Sequence, residues 1–357
     1  MRIAFIGSAG IPNRYGGFES FLEHCGPVFS KLTHSTLVTC DASLYREDRA
    51  GDCCGVRRIF VGVKANGVAS ILHDLLAFLR VYRQSTHILV LGVSGGPWFP
   101  FFLLMCRLGG KRLGVNIDGV EWRRTKFSRN KQLVLRVFDY LAQRFSDVVV
   151  YDNAGLAPFV RPFARSRAIE IGYPGDHVLR SGGRPKPATA LTICRIEPEN
   201  NLDMLIEGAL QSNIEKYTIV GNWKNSKYGR VLRERYQFEP RLSLVDPIYE
   251  PHQLADLREG CAIYLHGHSV GGTNPSLVEM LYYDCALICF DVTYNRVTAD
   301  GSASYFSDSA ELSQRIDEVI RGAGSSEVES RRRLRSKYTR SAIAASYIKA
   351  LMGEMRW

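Results

Sequence analysis

Short apolar runs that alternate with longer amphipathic segments constrain the fold of this chain more than any other feature. Across the first half of the 357 residues, strands are predicted at 2–6, 36–40, 56–61, 87–91, 112–117, 147–151 and 168–171. Helices are predicted between them at 18–31, 68–83, 130–144 and 153–160. A repeated strand–helix–strand order predicts an α/β fold, with a parallel sheet covered on both faces.

A glycine- and proline-rich segment at 172–187 interrupts this pattern and predicts a linker. A second alternation follows, with strands predicted at 190–194, 217–220, 242–245, 262–265 and 286–290. We therefore predict two Rossmann-like domains, 1–172 and 173–342, and an amphipathic segment at 343–357 that packs back on the first domain. Two such domains would face a central cleft at the carboxyl ends of their strands, where open parallel sheets bind ligands.

The composition indicates a cytoplasmic protein. The first residues lack the pattern of a signal peptide, and the apolar stretch at 97–106 is shorter than a bilayer span of about 20 residues. Nine cysteines without an export signal are typical of reduced thiols. The net charge of +10 fits nucleic acid, an anionic membrane or a phosphate-bearing substrate. Because basic residues cluster at 107–131 beside the apolar stretch, we favour peripheral contact with the inner face of the plasma membrane or a lipid-diphosphate acceptor.

Two candidate loops follow strands of the first half. The loop at 7–19 places Gly16 and Gly17 before a helix, where backbone amides can approach an anion. It lacks the G-x-G-x-x-G spacing, although Asp41 after the second strand leaves NAD binding open as an alternative. The loop at 115–124 groups polar side chains with an indole that could stack on a sugar ring. Its candidate sugar-binding residues are Asn116, Asp118, Glu121 and Trp122.

Two further loops follow strands of the second half. Arg195 ends the first of these strands and is suited to bidentate phosphate binding. The loop at 266–280 opens a helix and could cradle a diphosphate with its backbone amides. Its candidate donor-binding residues are Gly271, Gly272, Thr273, Asn274 and Ser276, and Glu279 could reach a ribose diol. His266 and His268 could form a metal pair, but no third ligand is evident, so we expect no metal.

The runs GIPNRYGGFES, NIDGVEWRR, RIEPENN and HGHSVGGTNPSLVE together resemble the retaining GT-B glycosyltransferases of family 4. More narrowly, they resemble its bacterial β-1,4-rhamnosyltransferase branch, which acts in capsule and cell-wall polysaccharide assembly. The resemblance implies the GT-B fold and transfer of a hexosyl group from a nucleotide sugar, with dTDP-L-rhamnose as the best-matching donor. It implies a lipid-linked or oligosaccharide acceptor, no cofactor and no metal.

The resemblance also implies roles for individual residues. Gly16 and Gly17 would lie against the donor diphosphate, and Asp118 would belong to the catalytic pocket on the acceptor side. Arg195 would neutralise the leaving diphosphate, and Glu279 would hold the donor ribose.

Two positions depart from the pattern of the wider family. Asn200 stands where that family commonly has a lysine, and Gly271 stands where it has the first of two glutamates. Fewer charged side chains are therefore available at the leaving group. The amides of the 271–276 loop must then stabilise more of the negative charge on the leaving diphosphate.

Two other functions remain open at the level of the sequence. A sugar-nucleotide epimerase would keep the GT-B fold and would turn over a nucleotide sugar without an acceptor. A basic nucleic-acid-binding protein would use the positive charge, but it would need aromatic and basic residues interleaved on one sheet face. No such arrangement is evident, so we expect no nucleic-acid partner.

Overall fold

The computed structural model describes residues 1–14, 16–123, 127–322 and 328–354. The chain divides into two compact units, the first formed by Met1–Pro174 with Arg340–Trp357 and the second by Gly175–Thr339. Each unit is built around one β-sheet. The division lies two residues beyond the boundary expected at 172/173.

The sheet of unit 1 has eight strands in the described residues, in the order β3-β4-β2-β1-β5-β6-β7-β8. They are β1 (Arg2–Ile6), β2 (Ser35–Asp41), β3 (Asp52–Cys53), β4 (Val56–Val61), β5 (His87–Leu91), β6 (Arg112–Asn116), β7 (Val148–Tyr151) and β8 (Ala168–Glu170). All neighbours pair in parallel except β3 and β4. The central strand β1 is flanked by β2 and β5, and four of its five residues are buried.

Within the described residues, four α-helices of unit 1 connect these strands. They are α1 (Gly17–Leu32), α2 (Ser70–Tyr82), α3 (Phe99–Leu108) and α4 (Arg129–Arg144). The segment predicted as a helix at 153–160 is a 3₁₀ segment, Ala154–Phe159, because Pro158 lies inside it and cannot donate the backbone hydrogen bond of an α-helix.

The sheet of unit 2 has six parallel strands in the described residues, in the order β11-β10-β9-β12-β13-β14. They are β9 (Lys186–Ile193), β10 (Lys216–Val220), β11 (Leu242–Val245), β12 (Cys261–His266), β13 (Ala286–Phe290) and β14 (Ser304–Phe306). This is the strand order 3-2-1-4-5-6 of a Rossmann domain. The order reverses between β9 and β12, so the loops after these two neighbouring strands border the crevice in which such sheets bind ligands.

Seven α-helices accompany the second sheet within the described part of the chain. They are α5 (Leu202–Gln211), α6 (Lys227–Tyr236), α7 (Pro251–Gly260), α8 (Pro275–Met280), α9 (Thr293–Ala299), α10 (Ser309–Ile320) and α11 (Val328–Lys337). The start of α10 is capped by Asp308, which accepts a hydrogen bond from the Glu311 amide at 2.8 Å. Helix α11 is partly buried, through the side chains of Arg331 and Leu334.

The last helix, α12 (Arg340–Met352), belongs to unit 1. It packs on α1 and β6, and its buried face joins the core that surrounds β1. Its Tyr347 ring lies 5.0 Å from the Phe21 ring of α1. The chain thus leaves unit 1 at Pro174 and returns to it at Arg340.

Candidate functional site

The loop that follows β1 requires glycine at two positions. Gly7 and Gly10 have φ angles of +89° and +110°, which side chains other than glycine rarely adopt. A Cβ atom on Gly7 would lie 2.5 Å from the carbonyl oxygen of Leu91, and one on Gly10 would lie 2.5 Å from the Cys40 sulfur. The glycines therefore let this loop pack directly against β5 and β2.

Gly16 and Gly17 lie at the start of α1, and they share this position with a buried carboxyl group. Gly16 precedes the helix and Gly17 is its first residue. The Oε1 atom of Glu19 accepts a hydrogen bond from the Ala9 amide at 2.6 Å. Burial raises the pKa of Glu19, backbone hydrogen bonds from Ala9 and others oppose the shift, and the charge of Asp118 adds to it. The negative charge of a diphosphate beside Gly16 would favour the protonated form of Glu19. The role of Glu19 was not predicted from the sequence.

Asn116 and Asp118 form the turn that follows β6. Asn116 is buried, and its Oδ1 atom accepts a hydrogen bond from the Asp118 amide at 2.9 Å. Its Nδ2 group donates to the Tyr347 hydroxyl at 2.7 Å. Asp118 has a φ angle of +53°, so the turn holds it in the left-handed region. Asn116 therefore positions Asp118, and both ends of its amide are engaged within unit 1.

Trp122 lies in a 3₁₀ segment, Glu121–Arg123, after this turn. Its ring meets the Phe159 ring edge to face at 6.1 Å, and the Arg136 guanidinium lies 5.4 Å from its centre. The indole predicted to stack on a sugar is thus packed between these side chains. The side chain of Glu121 lies outside the described part of the structure.

Arg195 follows β9 in unit 2, as the sequence predicts. Its side chain is 55% exposed, and its Nη2 atom lies 3.9 Å from Glu199 Oε1. Its backbone carbonyl accepts a hydrogen bond from Asn200 Nδ2 at 2.7 Å. An ion pair at this distance and exposure is weak, so the guanidinium can turn towards an anionic ligand at little energetic cost.

The loop after β12 lies beside Arg195, because its backbone is bonded to the segment that follows β9. The Ser269 amide donates to the Glu199 carbonyl at 2.9 Å, and Asn201 Nδ2 donates to the Gly267 carbonyl at 2.8 Å. A Cβ atom on Gly267 would collide with the Asn200 carbonyl oxygen. The structure thus brings together two of the loops predicted from the sequence.

The candidate diphosphate residues Gly271, Gly272, Thr273, Asn274 and Ser276 lie between β12 and α8. Asn274 caps α8, and its Oδ1 atom accepts from both the amide and the hydroxyl of Ser276 at 3.0 and 2.8 Å. The Ser276 amide is therefore engaged within the loop. Earlier in the loop, Gly271 has a φ angle of +115°.

Glu279 lies in α8 and is held by two cationic or ionisable side chains. Its Oε2 atom accepts from the buried guanidinium of Arg258, and its Oε1 atom lies 3.2 Å from His177 Nε2. A carboxylate offers about four lone-pair directions, and these two contacts engage both of its oxygens. Arg258 and His177 were not predicted, because nothing in their local sequence marks them.

The structure also bears on the metal and NAD alternatives. Within the described residues, no group of three or more His, Cys, Asp or Glu side chains is placed to hold a metal ion. His266 is buried, and burial lowers its pKa to about 3. Asp41 accepts hydrogen bonds from the Ser43 amide and hydroxyl at 2.8 and 2.7 Å and from the Ala65 amide at 2.9 Å. This carboxylate thus stabilises a local turn.

A basic and apolar surface lies on α3 and α4 of unit 1, two helices that pack beside each other. We call it the α3–α4 face. Its exposed apolar residues are Phe101, Leu104, Leu108, Leu133, Val134, Val137 and Tyr140. Its exposed cations are Arg107, Arg129, Lys131, Arg136 and Arg144. The one acidic residue of these two helices, Asp139, is buried. No helix in the described part of the chain is both long and apolar enough to cross a bilayer.

Several solved structures align with almost the whole of this chain. HepE from Anabaena, solved in complex with UDP, aligns with a TM-score of 0.74 and 13% identity over 99% of this chain and 100% of that one. The chain adopts the GT-B fold. Sucrose-phosphate synthase from Thermosynechococcus elongatus aligns with a TM-score of 0.79 and 13% identity, also over 99% and 100% of the two chains.

A third similar structure is the lipopolysaccharide outer core galactosyltransferase WaaB in its apo form. It aligns with a TM-score of 0.64 and 13% identity, over 99% of this chain and 100% of that one. At such identities the comparisons establish the GT-B fold alone. A family model described as a domain of unknown function (DUF1972) matches residues 1–175. No curated protein sequence matches the chain.

Proposed function

We propose that this protein is a glycosyltransferase that moves a hexosyl group from a nucleoside-diphosphate sugar to a lipid-linked or oligosaccharide acceptor. The observation that carries the proposal is the position of Arg195 and the 266–276 loop. Both lie at the carboxyl ends of β9 and β12, where the strand order of unit 2 reverses. HepE, which shares the fold, has been solved with UDP and with UDP-glucose, and this supports a nucleotide-sugar donor.

The leaving group explains why a cation and amides are needed there. When the bond between the sugar and the phosphate breaks, the electron pair leaves with the diphosphate, and positive charge develops at the anomeric carbon. Arg195 and the amides near Gly271 and Gly272 stabilise this anion, an electrostatic contribution of about 3–4 kcal/mol for each donor. The acceptor hydroxyl attacks from the same face, and its proton passes to the departing phosphate, so the configuration is retained.

The sugar and the acceptor follow from the resemblance of the loops to the rhamnosyltransferase branch. On this basis the donor is dTDP-L-rhamnose, and the product belongs to a capsule or exopolysaccharide. Glu279 holds the donor ribose, while Asp118 and its neighbours in unit 1 bind the acceptor sugar. No cofactor and no metal take part.

The composition of the α3–α4 face supports our proposal that the protein binds peripherally to the cytoplasmic side of the plasma membrane. Apolar side chains can enter the interface while the surrounding cations bind anionic headgroups. A lipid-linked acceptor is held in such a membrane. The proposed membrane contact and the proposed lipid-linked acceptor therefore support each other, although they rest on different residues.

The proposal is tested by calorimetric titration of the protein with dTDP-, UDP- and GDP-sugars and with the free nucleoside diphosphates. We expect one base series to bind, and we expect Arg195→Ala to weaken binding of the diphosphate and to lower turnover by 10²- to 10³-fold. Arg321→Ala, which removes an exposed arginine of the same unit, serves as the control and should change neither.

Three results would contradict the proposal. If none of these nucleotides bound, the chain would have no nucleotide-sugar donor site. If Arg195→Ala turned over at the normal rate, its guanidinium would not stabilise the leaving group. Conversion of a nucleotide sugar to its epimer without any acceptor would identify an epimerase instead.

A further inference from the structure

A shallow groove lies on the α3–α4 face of unit 1, along one side of α4, and its volume is about 250 Å³. Four of the residues that line it are spaced as i, i+3, i+4 and i+7, so they share one face of the helix. They are Leu133, Arg136, Val137 and Tyr140, and Arg161 lines the groove with them. Apolar and cationic side chains thus border the same depression.

Arg161 reaches the groove with a guanidinium that the described residues engage only in part. Its Nη2 atom lies 3.9 Å from Asp139 Oδ2, close to the limit of an ion pair. Its Nε atom has no hydrogen-bond partner among the described residues, although polar atoms buried to this degree usually have one. The side chain is 26% exposed, so an anion in the groove can reach this guanidinium.

Arg136 supplies a second guanidinium to the same groove. This residue is exposed, and its guanidinium carbon lies 5.4 Å from the centre of the Trp122 ring. No acid is among the described residues that line the groove. The nearby carboxylate of Asp139 can balance only one of the two guanidiniums, so the groove is positively charged. Planar guanidiniums match the oxygens of a phosphate group.

The groove lies beside the turn that is proposed to bind the acceptor sugar. Helix α4 packs against the 3₁₀ segment Glu121–Arg123, which contains Trp122. On the groove itself, Leu133 and Val137 are 63% and 49% exposed. An alkyl chain that covered these two side chains would remove their apolar surface from water. A candidate sugar site, two cations and an apolar strip are therefore neighbours within unit 1.

We propose that this groove binds the diphosphate end of a lipid-linked acceptor, with the two arginines on the diphosphate and the apolar side chains against the start of the lipid chain. This inference rests on the proposed function, because it places the acceptor of that reaction. A free phosphate would leave the apolar side chains in water, and an uncharged lipid would leave the guanidiniums unpaired. A diphosphate also carries more negative charge than the phosphodiester of a membrane phospholipid, so it matches a pair of guanidiniums better.

The experiment titrates the full chain by calorimetry with farnesyl diphosphate, a soluble lipid diphosphate, and in parallel with inorganic diphosphate and with farnesol. Arg136→Gln tests the cationic part of the groove, and Val137→Asn tests its apolar part. Arg129→Gln and Val134→Asn are the matched controls, because they change exposed residues of the same helix that lie outside the groove lining.

Arg161→Lys is the variant for the second guanidinium. It keeps a positive charge beside the buried Asp139, so unit 1 should remain folded, but it removes the planar group that can pair with two phosphate oxygens. Far-UV circular dichroism checks the fold of every variant.

We expect wild type to bind farnesyl diphosphate more tightly than either inorganic diphosphate or farnesol, because only this probe engages both parts of the groove. Arg136→Gln and Arg161→Lys should each weaken its binding about tenfold, as the loss of a charge-assisted hydrogen bond predicts. Val137→Asn should weaken farnesyl diphosphate about three- to tenfold while leaving inorganic diphosphate unchanged. Both matched controls should bind like wild type.

Arg195→Ala distinguishes this groove from the donor site of unit 2, which is also proposed to bind a diphosphate. Binding of farnesyl diphosphate should be unchanged in this variant. If the variant lost that binding, the probe would occupy the donor site and the inference would be wrong.

Other results would also overturn the inference. Equal affinity for farnesyl diphosphate and inorganic diphosphate would mean that the apolar side chains do not contact a lipid. Equal losses in Arg136→Gln and Arg129→Gln would assign the effect to the general charge of α4. If the protein bound nucleotide sugars but not farnesyl diphosphate, this inference alone would fail. If it bound farnesyl diphosphate through the groove but no nucleotide sugar, the lipid site would be supported and the proposed function would fail.

Discussion

Asn116 Nδ2 donates a hydrogen bond to the Tyr347 hydroxyl at 2.7 Å, although the two residues are 231 positions apart in the chain. Both side chains are buried. The bond joins the turn that carries Asp118 to the final helix of the same unit. A change at either residue should therefore affect the stability of unit 1 and the position of Asp118.

Tyr347→Phe should lower the free energy of unfolding of unit 1 by about 1–3 kcal/mol, because the buried Asn116 amide loses its acceptor. The loss is measured by denaturant unfolding followed by far-UV circular dichroism. Tyr249→Phe, at a tyrosine that is 88% exposed, is the control and should leave the unfolding curve unchanged. Equal stability of Tyr347→Phe and wild type would show that this bond contributes nothing measurable.

Glu19→Gln should stabilise unit 1 at neutral pH. Burial raises the pKa of Glu19 in the folded protein above its ordinary value, so the folded state holds the proton more tightly than the unfolded state. The favourable contribution of the protonated carboxyl is fully present below the unfolded pKa and is lost as the pH rises through the folded pKa. Glutamine keeps an oxygen for the Ala9 amide but carries no charge.

Stability measured between pH 4 and pH 8 tests this prediction. The difference between Glu19→Gln and wild type should grow as the pH rises. Glu23→Gln, on the same helix, is the control for the effect of removing any one carboxylate from this helix. A difference that is constant with pH, or that shrinks at high pH, would exclude a raised pKa.

Arg258→Ala should lower the free energy of unfolding by about 3–5 kcal/mol, because it leaves the Glu279 carboxylate, which is only 12% exposed, without its cation. Arg333→Ala breaks an ion pair with Asp300 in which the two side chains are 74% and 60% exposed, and it should change stability by less than about 1 kcal/mol. Chemical unfolding of both variants gives the comparison. Similar losses in the two variants would mean that burial of the Arg258–Glu279 pair has no energetic consequence.

The α3–α4 face should bind vesicles that contain anionic lipid. We expect the protein to sediment with phosphatidylcholine vesicles that contain phosphatidylglycerol, but not with phosphatidylcholine alone, and we expect salt to weaken the binding. Replacing Arg129 and Lys131 with glutamate should reduce binding at least tenfold, since each cation contributes about 1 kcal/mol and each replacement also adds a negative charge.

The matched control for this prediction replaces Arg230 and Arg321 with glutamate on unit 2. If both double variants bound equally well, the α3–α4 face would not be the lipid-binding surface. A shift of the wild-type protein to a dimer in solution, lost in Arg129→Glu/Lys131→Glu, would instead assign the face to contact between two copies.

The α/β class and much of the strand pattern could be predicted from the sequence, and the GT-B fold is confirmed. The strands β1, β4 and β5 begin and end at the predicted residues, because each ends in an apolar run that stops directly before a glycine. In contrast, β3 and β14 have two and three residues, too few for a periodic pattern to show.

The contacts of the candidate site could be predicted less completely. Arg195 and Glu279 stand out because each lies beside a strand end or a glycine-rich loop. His177, which lies 102 residues before Glu279, has no such marker. The same is true of Glu19, whose burial depends on a turn that brings Ala9 to its carboxylate. Partners of this kind are determined by tertiary packing, so their roles could be found only from the structure.

The return of α12 to unit 1 has a consequence for biosynthesis. A ribosome releases the residues of the second sheet before it releases Arg340–Met352, so the core around β1 cannot close until that helix has also been made. Unit 1 therefore begins to be made before unit 2 but is completed after it. Until then, the apolar surface that awaits α12 is exposed to chaperones and to other nascent chains.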